Sequence, residues 1–198
     1  MDKALDTKAL EDALSTLFRC TRAKQYYVIP NNHMSKVNFA GPYPIAIIQN
    51  IDSDDKPGIH WVAYWIPKMF PLTYSFMDSY GKSPDYYKLS TPDGRMMEFN
   101  SLKLQTDKTS LCGHFALHYL YLRAIGYSHK EYIDIIYGKS VPPETVVRRF
   151  YSRLSLFPSF NNRKCTCSQS CLRYEDYVSK YSDPLIRYYP KNYLDGIF

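Results

Sequence analysis

No stretch of this chain is apolar for long enough to cross a bilayer. Its 198 residues contain no internal repeat and no low-complexity linker, so a solenoid or a bead-like array is excluded. Cysteines are few and odd in number, five in all: Cys20, Cys112, then Cys165, Cys167 and Cys171. That count argues against a secreted disulfide framework and for a reducing compartment. The last three read Cys-x-Cys-x₃-Cys. They lack the paired Cys-x₂-Cys spacing of structural zinc sites, and no histidine follows within reach, so no metal is expected. The opening residues Met1-Asp2-Lys3-Ala4-Leu5-Asp6 are acidic and amphipathic, unlike a secretory signal. The expected location is therefore inside a cell or a particle. Acidic residues are missing altogether from Thr145 to Tyr174, where Arg148, Arg149, Arg153, Arg163, Lys164 and Arg173 bring six positive charges, equal to the whole-chain balance of +6. A basic stretch of that density is a candidate footprint for DNA or another polyanion.

What is present is enough for a core. Hydrophobic residues make up 45% and charged residues 22%, and the length suits one domain over residues 1–198. Asp6 is placed to cap a first helix whose Leu10, Ala13, Leu14, Leu17 and Phe18 share one face. Ile45 to Asn50 reads as a strand. His60 to Ile66 reads as a second, apolar at odd and even positions alike, so both its faces should be covered. Tyr74 to Asp78 is expected as a third strand and Leu102 to Gln105 as a fourth. Helices follow. Cys112 to Ile125 is apolar all round and Gly126 suits its end; Ser128 and Glu131 have capping-box spacing; Pro143 suits the first turn of a helix reaching about Leu154. Strands first and helices after predict an α+β domain, with a motif-bearing core at about 45–126 and a helical, Tyr-rich part at 127–198.

The chemistry gathers around Cys112. A thiol is a weak nucleophile until ionised. A helix starting at Cys112 would place the positive end of its dipole at the sulfur, worth roughly 0.3–1 kcal/mol, and Gly113 would leave space for a substrate backbone. A base must come within about 2.6–3.2 Å. His114 points some 200° away around the helix, His118 lies about 9 Å along it, and His129 follows its far end. His60 stands at a strand start behind Gly58-Ile59 and is the favoured base; His33, in a loop rich in Pro and Asn, stays open. The imidazole needs an orienting acceptor. Asp78, closing the neighbouring strand, fits best, with Asp54, Asp55 and Asp85 as rivals in polar loops. Gln105 offers an amide N–H to a developing oxyanion alongside the Cys112 backbone N–H. Trp61 should face away from His60, either into the core or as a wall of a substrate channel. No cofactor is needed for this chemistry.

Gly58-Ile59-His60-Trp61, Asp78 with Ser79-Tyr80-Gly81, Gln105 and Cys112-Gly113 resemble, in order and rough spacing, the adenovirus-type cysteine proteases (adenain). The wider group includes the SUMO and ubiquitin-like-specific proteases. The run Ile47 to Asp52, followed by Lys56 to Ala63, is most similar to proteases of adenovirus-related and polinton-like DNA elements. The resemblance spans roughly Ile45 to Gly126. It implies a circularly permuted papain-like site on a mixed sheet flanked by helices, with the thiol at the start of a central helix. It further implies His60 as base, Asp78 as orienter, Gln105 as oxyanion donor and Cys112 as nucleophile. Adenain carries Glu at the orienting position; Asp78 follows the SUMO-protease pattern. The implied activity is endopeptidase cleavage of viral precursor proteins during particle maturation, in the virion or the host nucleus or cytoplasm. DNA and a short viral peptide attached through a disulfide are the activators the family suggests. An isopeptidase for ubiquitin-like modifiers, an acetyltransferase with a similar triad, and a non-catalytic capsid or nucleic-acid-binding module are the alternatives.

Overall fold

The structure is a computed structural model describing residues 3–18, 21, 23–68, 72–138 and 140–154. Cys20, Arg163, Lys164, Cys165, Cys167, Cys171 and Arg173, together with the Arg153 side chain, lie outside the described residues.

Helix α1 (Thr7–Phe18) begins where Asp6 accepts a hydrogen bond from the Ala9 N–H at 2.8 Å, and it buries Leu10, Ala13, Leu14, Leu17 and Phe18. This is the face its periodicity predicts. Five strands follow: β1 (Gln25–Ile29), β2 (Ile45–Asn50), β3 (Trp61–Ile66), β4 (Thr73–Met77) and β5 (Arg95–Phe99). They form one sheet in the order β1-β2-β3-β4-β5. The β1–β2 and β4–β5 pairs are parallel, and the two central pairs are antiparallel. The sheet is therefore mixed. Helices α2 (Cys112–Ala124), α3 (His129–Tyr137) and α4 (Pro143–Leu154) complete the chain.

The continuous apolar strands are covered on both faces, as their pattern requires. Ala46, Ile48, Ala63, Trp65 and Met77 point toward the helices, while Ile45, Ile47, Val62, Tyr64, Ile66 and Phe76 pack on the opposite side. All four helices lie on the first face. The second is closed by Met34 and Val37 and by partly buried Tyr87 and Leu89, which come from short 3₁₀ turns and the segments after them. The expected α+β architecture is thus observed, with the α-helices on one side of the sheet rather than both.

Helix α2 is the central element. All its side chains except Arg123 are buried. It ends at Gly126 with φ of 112°, a conformation open to glycine at little cost. The capping box of Ser128 and Glu131 opens α3.

One strand expectation needs correction. Leu102–Gln105 is not a strand: the Leu104 and Gln105 N–H groups both donate to the Ser79 carbonyl, at 2.8 and 3.0 Å. The strand beside β4 is β5, seven residues earlier at its start, whose burial alternates as befits a sheet edge. No helix among the described residues is long and apolar enough to cross a membrane.

Candidate active site

The pairing of β3 with β4 sets the site. The two strands run antiparallel with Ala63 opposite Met77, so the start of one and the end of the other meet at the same sheet edge. His60 precedes β3 and Asp78 follows β4. Their side chains meet there: His60 Nε2 lies 2.5 Å from Asp78 Oδ1. His60 is 4% exposed and Asp78 fully buried.

Asp78 is fixed from several directions. Its carboxylate accepts from the Tyr80 N–H at 3.2 Å, the Lys82 N–H at 2.8 Å and the Tyr87 hydroxyl at 3.1 Å. Its main chain is held by Asn100, whose Oδ1 accepts from the Asp78 N–H at 3.0 Å and whose Nδ2 donates to the Asp78 carbonyl at 2.6 Å. A carboxylate so satisfied stays where it can hold the imidazole in one orientation.

Cys112, at the first position of α2, lies near enough to His60 to act on its protonation. With Nε2 engaged by Asp78, Nδ1 is the ring nitrogen left for the sulfur. Burial alone would lower the His60 pKa. The bonds to Asp78 and then Cys112 outweigh it and push the value up from 6.5 to about 9. The protonated imidazolium is the form of His60 that those neighbours favour. Leu111, the residue preceding α2, gives no side-chain cap to the helix start. Hence no side chain of the capping residue competes for the first N–H groups, at the positive end of the dipole where Cys112 sits.

Gln105 is 2% exposed and is gripped by Ser79. Its backbone N–H donates to the Ser79 carbonyl, and its Oε1 accepts from the Ser79 hydroxyl at 2.8 Å. Its Nε2 donates to the Thr109 carbonyl at 2.7 Å and to the Tyr80 hydroxyl at 3.3 Å. The tight approach of the two segments needs Gly81, with φ of 72°: a Cβ there would sit 2.8 Å from the Leu102 main chain. The tripeptide Asp78-Ser79-Tyr80 thus touches His60, Gln105 and the neighbourhood of Cys112 together.

The structure brings His60, Asp78 and Cys112 into one cluster, with Gln105 bound to the same turn. The other candidates lie elsewhere. His33 Nε2 pairs with Asp54 Oδ2 at 2.9 Å, so that base and that rival acid satisfy each other. Asp55 is taken by the Ser53 hydroxyl. His129 meets the Tyr119 hydroxyl at 3.1 Å.

The two residues expected to contact substrate are placed differently. Gly113 was expected to leave a gap beside the sulfur. One step along a helix turns about 100°, and the glycine faces α1 instead: a Cβ on it would lie 3.2 Å from Leu5 and 3.3 Å from Leu10. The small residue serves close packing there. Trp61 is half-buried against the helical core, and its indole N–H donates to the Leu5 carbonyl at 2.9 Å.

Sequence reasoning named Ser79 and Tyr80 without their positioning roles, and missed Tyr87, Asn100 and Glu144. Glu144, in the first turn of α4, accepts from the Thr106 N–H at 2.7 Å, the Thr106 hydroxyl at 2.9 Å and the Thr109 hydroxyl at 2.8 Å. Burial would raise its pKa, but these bonds and Arg148 hold it below the ordinary carboxylate value. It pins the loop leading from Gln105 to Cys112.

A buried acid bonded to an imidazole, with a thiol close enough to raise that imidazole's pKa from the start of a helix, is a set of groups that can make a cysteine nucleophile with its base. No protein-family model matches the chain. No curated protein matches it either. Among solved structures it is similar to the ASFV pS273R protease, with a TM-score of 0.45, 14% identity and coverage of 66% of this chain. The match spans only 61% of that protease's length. It is also similar to the central domain of the uncharacterized Lpg1148 protein from Legionella pneumophila, with a TM-score of 0.44, 14% identity, and coverage of 78% of this chain and 99% of that one.

Proposed function

We propose that this chain is a cysteine endopeptidase of adenain type that cleaves precursor proteins of a virus or virus-like element during particle maturation. The observation that carries the chemical part is His60, bonded to the buried carboxylate of Asp78 and raised in pKa by that bond and by the nearby Cys112. The biological part rests on the sequence resemblance.

The Cys112 thiolate adds to the scissile carbonyl carbon, forming a C–S bond and leaving negative charge on oxygen. The Cys112 N–H at the start of α2, with a second donor on the Gln105 side, receives that charge. On collapse the C–N bond breaks, and the His60 imidazolium gives its proton to the departing amine. Water then enters. His60 takes one of its protons while the oxygen attacks the thioester. The C–S bond breaks, releasing the acid and restoring the thiolate–imidazolium pair. Asp78 keeps the ring in one orientation throughout.

The test is digestion of a proteome-derived peptide library, with new N-termini read by mass spectrometry. Wild-type protein should generate a recurrent set of termini that Cys112→Ala does not. The same termini from Cys112→Ala would refute the assignment. Robust labelling of Cys112 by a ubiquitin or SUMO probe bearing a C-terminal electrophile would redirect the substrate to modified proteins.

A further inference from the structure

Gln105 is the donor to the oxyanion that the sequence resemblance implies, yet its amide hydrogens are both engaged. An amide nitrogen carries two of them. They go to the Thr109 carbonyl at 2.7 Å and to the Tyr80 hydroxyl at 3.3 Å. Tyr80 is differently situated. It accepts from Gln105, and among the described residues no acceptor takes its own hydrogen. Its ring lies against His60, with centroids 4.8 Å apart and planes 33° apart. Tyr80 is partly exposed while Gln105 is buried. A hydroxyl that accepts one hydrogen bond also donates a stronger one, because chained bonds polarise each other. Burial, and next the Cys112 charge, raise the Tyr80 pKa above 10, which keeps that hydrogen in place at neutral pH.

We propose that the Tyr80 hydroxyl is the side-chain oxyanion donor, working with the Cys112 N–H, and that Gln105 is the positioning residue that aims and polarises it. This rests on the cysteine-hydrolase reading and deepens it. The frame is built for the purpose: Ser79 and Thr109 fix Gln105 at its oxygen and its nitrogen, leaving the bond to Tyr80 as the one directed toward the site. The second hydrogen bond to the oxyanion therefore comes from the turn that also carries Asp78.

Tyr80→Phe keeps a ring against His60 and removes only the hydroxyl. Two reagents separate its roles in the full chain. Iodoacetamide is displaced at a saturated carbon, so it reports the thiolate and needs no oxyanion site. With p-nitrophenyl acetate the thiolate adds to a carbonyl, charge builds on oxygen, p-nitrophenolate leaves and Cys112 is acetylated. Both reactions are read at the Cys112 peptide by mass spectrometry. Tyr80→Phe should alkylate within about twofold of wild type and acetylate about 10²-fold more slowly, the cost of one lost oxyanion donor. Gln105→Ala, which leaves the hydroxyl but not its aim, should lose less, roughly tenfold. Wild-type acetylation by Tyr80→Phe would overturn the proposal. So would equal slowing of both reactions, since the hydroxyl would then act on the thiolate, or a greater loss in Gln105→Ala than in Tyr80→Phe. If wild-type Cys112 reacts with neither reagent faster than it does in the urea-unfolded chain, the hydrolase reading falls and this inference with it.

Discussion

Replacing Asp78 by Asn removes one charge at a group that accepts four hydrogen bonds, from His60, Tyr80, Lys82 and Tyr87. The amide can be set two ways, and both are costly. With its NH₂ toward His60, Nε2 must accept, the ring proton moves to Nδ1, and the nitrogen facing sulfur is no longer a base. With its oxygen toward His60, the NH₂ faces the Lys82 N–H, and a buried donor is left unpaired at about 1–3 kcal/mol. For a domain of this size that is a fall in Tm of roughly 2–12 °C. The titration should move as well. The largest influence on His60 is burial, which lowers its pKa, and Asp78 is the first of the groups that overcome it to give about 9. Without the carboxylate the value should drop toward or below 6.5. Histidine-selective ¹³C labelling follows this directly, with His60→Gln identifying the resonance. An Asp78→Asn protein whose His60 still titrates near 9, with unchanged Tm, would refute the reasoning.

Other outcomes follow from the same geometry. Because a histidine must be protonated to deliver its proton to the leaving amine, kcat/KM should decline as pH rises through about 9, and a rate still climbing at pH 10 would contradict that role. The raised pKa also contributes stability, on the order of 3 kcal/mol, present in full below about 6.5 and lost as pH climbs through about 9; urea unfolding should show a steeper alkaline loss in wild type than in His60→Gln. Glu144→Gln should weaken the clasp on Thr106 and Thr109, cost about 1–2 kcal/mol, and speed hydrogen exchange at the Thr106 amide at least tenfold. If the basic stretch that includes Arg148 and Arg149 binds DNA, log affinity should fall with log salt by about 0.9 per phosphate contacted; a flat response would remove DNA as a partner.

The parts of the fold that could be read from sequence are those where burial imposes a local pattern. The central strands β2, β3 and β4 are continuous apolar runs, and the ends of α1 and α3 carry Asp6 and the Ser128–Glu131 box. The edges were not legible. β1 buries only Ile29 fully and β5 alternates exposed with half-buried residues, so neither has a run to distinguish it. Leu102–Gln105 resembled a strand because Leu104 is buried, but its N–H groups go to the single carbonyl of Ser79. At the site, the spacing of His60, Asp78 and Cys112 followed from strand ends and a helix start. The residues that tune them act across the chain: Asn100 reaches Asp78 over 22 positions and Glu144 reaches Thr106 over 38. No local periodicity encodes such bonds. Gly113 shows the converse error, since a glycine beside a nucleophile suits both an open channel and a close helix contact, and only the direction of its missing Cβ separates them.

The central claim is that sulfur and imidazole, 52 positions apart in the chain, work as one unit. Site-resolved alkylation of Cys112 at pH 7, compared between wild type and His60→Ala, tests it most directly. Loss of the imidazolium should slow Cys112 alkylation by at least about tenfold while Cys20 is unaffected; equal rates at Cys112 in both proteins would contradict the claim.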